Sequence, residues 1–539
     1  MRLRALGFAV ATIAMGHSAA HAGGQFLPGS GAVSTSRAGA AVASADDGEA
    51  LAVNPAGLAK TEGTTITLSA AIIDFAMEFT RRGTYDDVPT DTLPYEGMPY
   101  PTVNNDVKPP FSLGGFQPVP VVAVVSDLGG AVPNLRVAAG LWAPNAYPFR
   151  NMCTELASGC ERYQFNGDPN VPPPPTRYDM LEQDASLLMP TIGASYRVLP
   201  QVDVGARFGL GFAKLASKSA AWGNPDNYEE NIKKDGFFSI KANDSFIPVW
   251  GFGATYRPTP AIELGAAYSS QIDINAKGTA RAEQGSEVGV LGQPIVVLPI
   301  NDERSQCELG GTREVQRACI ALSLPRSALI GGRYKFLGAD GQLRGDVELN
   351  LGWENWSADP VSTFTITVDA EAAVVRSDGT EEPFYRLKPT VTPHQLKDTY
   401  SARLGGSFHL PVGANKLIFR GGVAYDTAAA RKGWMRIDID GAARTTTTVG
   451  IGFRTDRFEI NAGGGAVFEG FNSNPGNCNP TISMKGCAGT NMDAPIEDRG
   501  GLDPINPSLD PEFQAESPVT QGNYKSHYVL LMLGAATWF

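Results

Sequence analysis

Fourteen segments of this chain alternate apolar and polar residues with a period of two, and the connections between them alternate short and long without exception. A period of two sends successive side chains to opposite faces of a strand. The first seven strands are expected at about 63–80, 111–126, 133–147, 181–198, 201–218, 244–257 and 260–279, and the other seven at 318–337, 341–356, 396–411, 415–428, 444–455, 458–471 and 523–539. Six connections are short, among them Leu199-Pro200-Gln201, Pro258-Thr259-Pro260 and Thr455-Asp456-Arg457, and seven are long and rich in Pro, Gly, Asn and Asp. All short turns then lie at one end of the sheet and all long loops at the other. Outer-membrane barrels have this asymmetry, with short periplasmic turns and long extracellular loops.

The alternation also assigns faces. Val202, Val204, Ala206, Phe208 and Leu210 oppose Asp203, Gly205, Arg207 and Gly209, while Leu343, Val347, Leu349, Leu351 and Trp353 oppose Arg344, Asp346, Glu348 and Asn350. Leu417, Phe419, Val423 and Tyr425 likewise oppose Lys416, Ile418, Arg420 and Gly422. Arg or Lys facing lipid at the bilayer midplane costs about 2–4 kcal/mol, so the apolar faces belong to lipid and the charged faces to the lumen. No run of 18 or more apolar residues could form a spanning helix, and a strand protein crosses a bilayer only as a closed barrel. The expected fold class is all-β, a transmembrane antiparallel β-barrel of about 14 strands. The last strand, Tyr528 to Phe539, is apolar and ends on Trp538-Phe539, resembling the C-terminal strand recognised by barrel-assembly machinery, an expected partner during biogenesis.

Arg2 and Arg4 precede an apolar stretch from Ala5 to about Met15, and Ala20-His21-Ala22 follows, which reads as a secretory signal peptide over 1–22. Its removal takes the formal charge from −12 to −14, and an acidic chain is a poor partner for nucleic acid. The six cysteines fall into three local pairs, Cys153/Cys160, Cys307/Cys319 and Cys478/Cys487, each assigned to a long loop. Export favours disulfides, and without CxxC spacing or nearby histidines no metal site is expected. After the signal only His394, His409 and His527 remain, and no GxSxG elbow accompanies them, so an outer-membrane hydrolase has little support.

Residues 23–62 are too irregular and too rich in small residues for a lipid-facing strand, yet they precede the first one. In Asn54-Pro55-Ala56-Gly57-Leu58, Asn54 is placed to cap a short helix with Pro55 at its first position. Phe26, Arg37-Ala38-Gly39, Ala45-Asp46-Asp47 and Asn54-Pro55-Ala56-Gly57-Leu58, taken in this order, resemble the N-terminal hatch of the outer-membrane fatty-acid transporter family of the FadL/TodX type. Pro190-Thr191-Ile192-Gly193, Tyr256-Arg257-Pro258-Thr259 and Arg420-Gly421-Gly422-Val423-Ala424-Tyr425-Asp426 extend the resemblance along the chain. Two departures from the family pattern are the longer loops 281–317 and 472–522 and the three cysteine pairs, which the family does not require.

The resemblance implies that residues 23–62 plug the lumen as a hatch carrying Asp46, Asp47, Asn54, Pro55, Ala56 and Gly57, and that 63–539 form the barrel in the outer membrane of a Gram-negative cell. It implies passive transport without cofactor or catalysis, most simply of long-chain fatty acids, with aromatic or other hydrocarbons as the alternative ligand. Outer-membrane lipids are the expected surroundings and a monomer the expected state. The family's third strand carries an inward kink that opens the wall, and here the matching stretch places Pro144 and Asn145 at the candidate lateral opening. Lumen-facing Arg207, Arg403 and Arg420 are candidates for holding a ligand carboxylate. A general porin for polar solutes, with an open lumen, is the competing reading, and a large steady ion conductance would distinguish it.

Overall fold

The computed structural model describes residues 24–61, 63–88, 92–109, 114–153, 171–221, 230–284, 289–290, 293–431, 433–474 and 520–539. Its barrel is closed by fourteen antiparallel strands. In chain order these are β1 (Thr64–Arg81), β2 (Gln117–Ser126), β3 (Leu135–Trp142), β4 (Glu182–Leu199), β5 (Val202–Ala221) and β6 (Gly236–Thr259). Two kinked strands follow: β7 runs Ile262–Ser269 and resumes at Ile272–Gln284, and β8 runs Gln316–Leu324 and resumes at Ser327–Leu337. The wall is completed by β9 (Leu343–Glu354), β10 (Thr399–Val412), β11 (Asn415–Asp426), β12 (Arg444–Arg454), β13 (Phe458–Asn474) and β14 (Gly522–Trp538). The last strand returns to the first in a continuous register from Thr65 opposite Trp538 to Arg81 opposite Gly522, which closes the sheet into a barrel. Among the described residues no helix is long and apolar enough to cross a membrane.

The parity read from the sequence describes the wall. Leu349, Leu351, Phe208, Phe419 and Val423 stand exposed on the outside, while Asp203, Arg207, Asp346, Glu348 and Asn350 are buried inside. Several features differ from the sequence expectations. The third strand stops at Trp142 instead of continuing to 147, because neither Pro144 nor Pro148 can donate a ladder hydrogen bond. The stretches 281–317 and 357–395, read as loops, contain strands Gln293–Pro299 and Thr363–Val375. The second of these pairs with β8 from Arg317 opposite Asp369 to Ala321 opposite Thr365, continuing the sheet above the barrel.

Cys319, inside the expected strand 318–337 although its pair was assigned to a long loop, lies on β8, and its disulfide to Cys307 ties that strand to the connection before it. Cys153 is disulfide-bonded and buried. Cys160, Cys478 and Cys487 lie outside the described residues, as does the expected signal peptide.

Two segments fill the interior. Residues 24–61 enter from the turn end, and the connection between β11 and β12 folds inward from the loop end. That connection was read as a polar outer loop, yet Ala428, Ala429, Ala430, Met435, Ile437, Ala442 and Ala443 are buried in a core with Phe75, Tyr147, Phe149 and Tyr528. Hydrogen bonds fasten it from three sides: His394 Nε2 lies 2.8 Å from Asp438 Oδ2, Arg436 pairs with Asp179, and Arg150 Nε donates to the Ile437 carbonyl at 3.1 Å.

Leu349 sits near the middle of β9 on the outer face, so Leu349→Arg should lower the stability of the folded barrel in lipid vesicles by about 2–4 kcal/mol, and Leu349→Ala by clearly less. Equilibrium urea unfolding in those vesicles reads the difference, and an Arg variant as stable as the parent would mean that this face does not meet lipid.

Candidate ligand cavity and the segment beneath it

The N-terminal segment is held by side chains that parity turns inward. Arg37 reaches Asp346 with two bonds of 3.0 and 2.9 Å and Glu348 at 3.4 Å, all three groups buried. Asn350 Oδ1 accepts the amides of Ala41 and Val42 at 2.9 and 3.1 Å, and Glu348 accepts that of Ala43 at 2.8 Å. Wall carboxylates and a wall amide thus supply the bonds that an irregular buried backbone lacks. Lys60 pairs with Glu263 at 2.7 Å, and Arg333 bridges Asp346 and Glu263 at 2.6 and 3.2 Å.

Asn54 accepts the Ala56 amide at 3.1 Å and caps the 3-10 helix Pro55–Lys60, while its amide donates to the Val42 carbonyl at 2.6 Å. Pro55, Ala56 and Gly57 are buried in that helix; Asp47 accepts the Glu49 amide at 2.8 Å, and Asp46 is exposed. The buried Glu49 accepts the amides of Val33 and Ser34 at 2.9 Å each and the Ser69 hydroxyl at 2.7 Å. Burial holds its carboxyl above the ordinary range despite those bonds.

Space for this backbone comes from inward-facing glycines. A Cβ at Gly253 would overlap Asn54, one at Gly205 would overlap Pro55, and those at Gly405 and Gly422 would overlap the Arg37 backbone.

Above this segment lies a cavity of about 150 Å³, lined by Phe26, Leu27, Trp142, Pro144, Asn145, Arg207 and Arg403 among others. Arg207 is buried on β5 and has no carboxylate partner among the described residues. Its guanidinium donates to the Leu51 carbonyl at 2.7 Å, to the Ala52 carbonyl and to Ser269 Oγ at 2.7 Å, and lies 4.8 Å above the Trp142 ring. Arg403 is 3.7 Å from Asp426, and its Nε finds no acceptor among the described residues. Arg420 stands outside the cavity, bonded to Asn461 at 2.7 Å and to Glu459 at 2.6 Å.

Beside the cavity the wall is interrupted. The β3–β4 ladder ends at Trp142 opposite Met189 and pairing resumes only at Arg150 opposite Gln183. Between those points the chain turns inward, and Asn145 grips the N-terminal segment: its carbonyl accepts the Leu27 amide at 2.7 Å and its Nδ2 donates to the Pro28 carbonyl at 3.1 Å. Cavity, broken ladder and N-terminal segment therefore share residues.

Residues 13–469 match the family model of the Outer membrane protein transport protein (OMPP1/FadL/TodX). The chain belongs to this outer-membrane transport family. Among curated proteins none matches it. A Pseudomonas aeruginosa FadL homologue shares the fold at 15% identity and a TM-score of 0.63, the alignment covering 95% of this chain and 99% of that one. The Ralstonia pickettii toluene transporter TbuX aligns at 13% identity and a TM-score of 0.56, and the P. putida toluene transporter TodX at 14% and 0.55, each over 95% of this chain and 99% of the other. A member of this family is an outer-membrane protein that moves hydrophobic compounds, and not an enzyme.

One part of the site in this family member went unread in the sequence. Phe26 and Leu27 form part of the cavity wall, which no local pattern announces. The inward glycines were visible by parity, since each follows the period of two from a lumen-facing charge, as Gly205 does from Asp203 and Arg207.

Removing the Arg37 cation leaves Asp346 and Glu348 buried with less compensation, so Arg37→Ala should destabilise the seated segment by about 3–5 kcal/mol, with a smaller effect for Arg37→Lys. Hydrogen exchange at the amides of residues 36–43 measures this. Unchanged protection in Arg37→Ala would show that the ion pair does not hold the segment.

Proposed function

We propose that this chain carries long-chain fatty acids across the outer membrane by facilitated diffusion, with the carboxylate held at Arg207. The supporting observation is the environment of that residue. It is a buried guanidinium on the rim of the cavity that makes do with carbonyl and hydroxyl acceptors, and a carboxylate is the stronger partner for such a group. Arg403, held only loosely by Asp426, stands on the same cavity as a second cation.

An apolar tail gains about 25 cal/mol for each Å² removed from water, so capture between the outer loops and passage into the cavity need no energy source. Release follows either through the interrupted wall at Pro144 and Asn145 or past the seated segment, which acts as the hatch. A lumen filled from both ends favours single-solute passage over a general porin.

A second reading is transport of aromatic hydrocarbons. Phe26 and Trp142 in the lining favour it, as do the toluene transporters among the structural neighbours.

Expression in a host lacking its own fatty-acid porin should restore growth on a long-chain fatty acid. Arg207→Leu should cut uptake by about tenfold or more, the loss expected for one charge-assisted bond, with Arg207→Lys retaining part of it. Uptake of toluene by the same cells separates the readings. If Arg207→Leu leaves fatty-acid uptake intact, or if only toluene is carried, the fatty-acid reading falls.

A further inference from the structure

Near the loop end the outer wall carries a group of outward-pointing cations, distinct from outward ion pairs such as Lys525 with Glu78 at 2.9 Å. On β5 the outward positions from Val202 to Phe212 are all apolar. At a rise of about 3.3 Å per residue and a tilt of about 40°, this stretch climbs about 25 Å, the height of the apolar band of an outer-membrane barrel. The next outward position is Lys214. On β6 the exposed series Tyr256, Phe252, Trp250 and Phe246 is followed by Lys241, and on the upper part of β7 by Lys277 and Arg281, all four cations exposed.

Two irregularities turn these cations outward. Opposite Gly211–Ala213 the β5–β6 register shifts, and the outward side of β6 changes from even-numbered to odd-numbered positions. Such a bulge re-aims every side chain beyond it. Asp244 braces it, accepting the Phe246 amide at 3.0 Å and the Asn275 amide at 2.8 Å. The kink at Ser270–Gln271 makes the same change on β7. Without both, Lys241 and Lys277 would point into the lumen.

The register then gathers them. Lys214 lies opposite Asn243, and Asn243 opposite Lys277; Lys241 lies opposite Ala216 on one side and Thr279 on the other, and Arg281 lies opposite Ser239. Lys214 and Lys277 are thus about 10 Å apart across two strand spacings, with Lys241 diagonal to each at about 7–8 Å.

Among the described residues none of the four has a carboxylate partner, whereas the next outward cation on β5, Lys218, pairs with Glu182 at 2.7 Å. The acids of this face are engaged or peripheral. Asp244 braces the bulge, Asp273 accepts from Ser323 Oγ at 2.6 Å, and Asp184 and Glu283 flank the patch opposite Ala216 and Phe237. Like charges side by side on a sheet repel, so this arrangement in an acidic chain calls for a bound anion.

We propose that Lys214, Lys241 and Lys277, with Arg281 above them, bind a phosphate of the phosphorylated glycolipid of the outer leaflet, lipid A. The patch stands at the loop-end border of the apolar band, where the headgroups of that leaflet lie. Phe212, Phe246 and Trp250 directly below offer an apolar surface to its acyl chains.

The test uses the full mature chain in detergent micelles doped with lipid A. The folded protein should retain bis-phosphorylated lipid A well above its dephosphorylated form. A variant carrying Lys214→Gln, Lys241→Gln and Lys277→Gln should bind about tenfold more weakly, as expected when several charge-assisted contacts to one phosphate are lost. Lys241→Gln alone, at the centre of the patch, should lose part of the binding. A control with Lys108→Gln, Lys388→Gln and Lys397→Gln removes the same charge elsewhere and should bind as the parent does. Heat-shifted electrophoretic mobility confirms that each barrel is folded. Equal retention of the dephosphorylated lipid, equal loss in the control, unchanged binding by the triple variant, or equal affinity for inorganic phosphate would each overturn the proposal.

Discussion

In hydrocarbon every backbone N–H and C=O must find its partner within the protein, and the strands here meet that demand by closing β14 onto β1. Closure has a consequence for the side chains. With a period of two, a wall that shows Leu349 and Leu351 to lipid must turn Glu348 and Asn350 inward, where water is scarce once the lumen is filled. Buried carboxylates and amides are tolerable only when hydrogen-bonded. The N-terminal segment supplies the donors: Arg37 and the amides of Ala41, Val42 and Ala43 answer Asp346, Glu348 and Asn350. The wall and the segment are therefore each other's missing partners.

The same demand explains the neighbourhood of the broken ladder. Proline at 144 and 148 removes two donors from the third strand, and the chain between Trp142 and Arg150 leaves the sheet. Part of the lost pairing is made good inside the barrel, where Asn145 bonds Leu27 and Pro28. The interrupted wall and the N-terminal segment are in this way mechanically linked.

The architecture was legible because it rests on counting. Short and long connections and a period of two are local properties, and they yield strand number, closure and facing without knowledge of any contact. They also name Arg207, Arg403 and Arg420 as lumen cations, but parity treats the three alike. What separates them is cross-strand register: Arg420 lies within reach of Glu459 and Asn461 two strands away, Arg403 near Asp426, and Arg207 pairs with no acid among the described residues. The connection between β11 and β12 misled for a similar reason. Its Arg431, Arg436, Asp438 and Asp440 look like a solvated loop, and only tertiary partners such as Asp179 and His394 allow it to be buried.

Arg207 ties these threads together. One guanidinium touches Trp142 at the end of the interrupted strand, the carbonyls of Leu51 and Ala52 in the seated segment, and Ser269 at the kink of β7. Neutral acceptors hold a guanidinium less strongly than a carboxylate does, because the carboxylate brings the opposite charge and can accept two parallel bonds. On the proposed reading, an anion arriving in the cavity competes directly with those carbonyls. Because the interrupted wall, the cavity and the buried backbone all contact this one side chain, the Arg207 bonds to Leu51 and Ala52 add a tie at the cavity to the hold that Asp346, Glu348 and Asn350 keep on the segment.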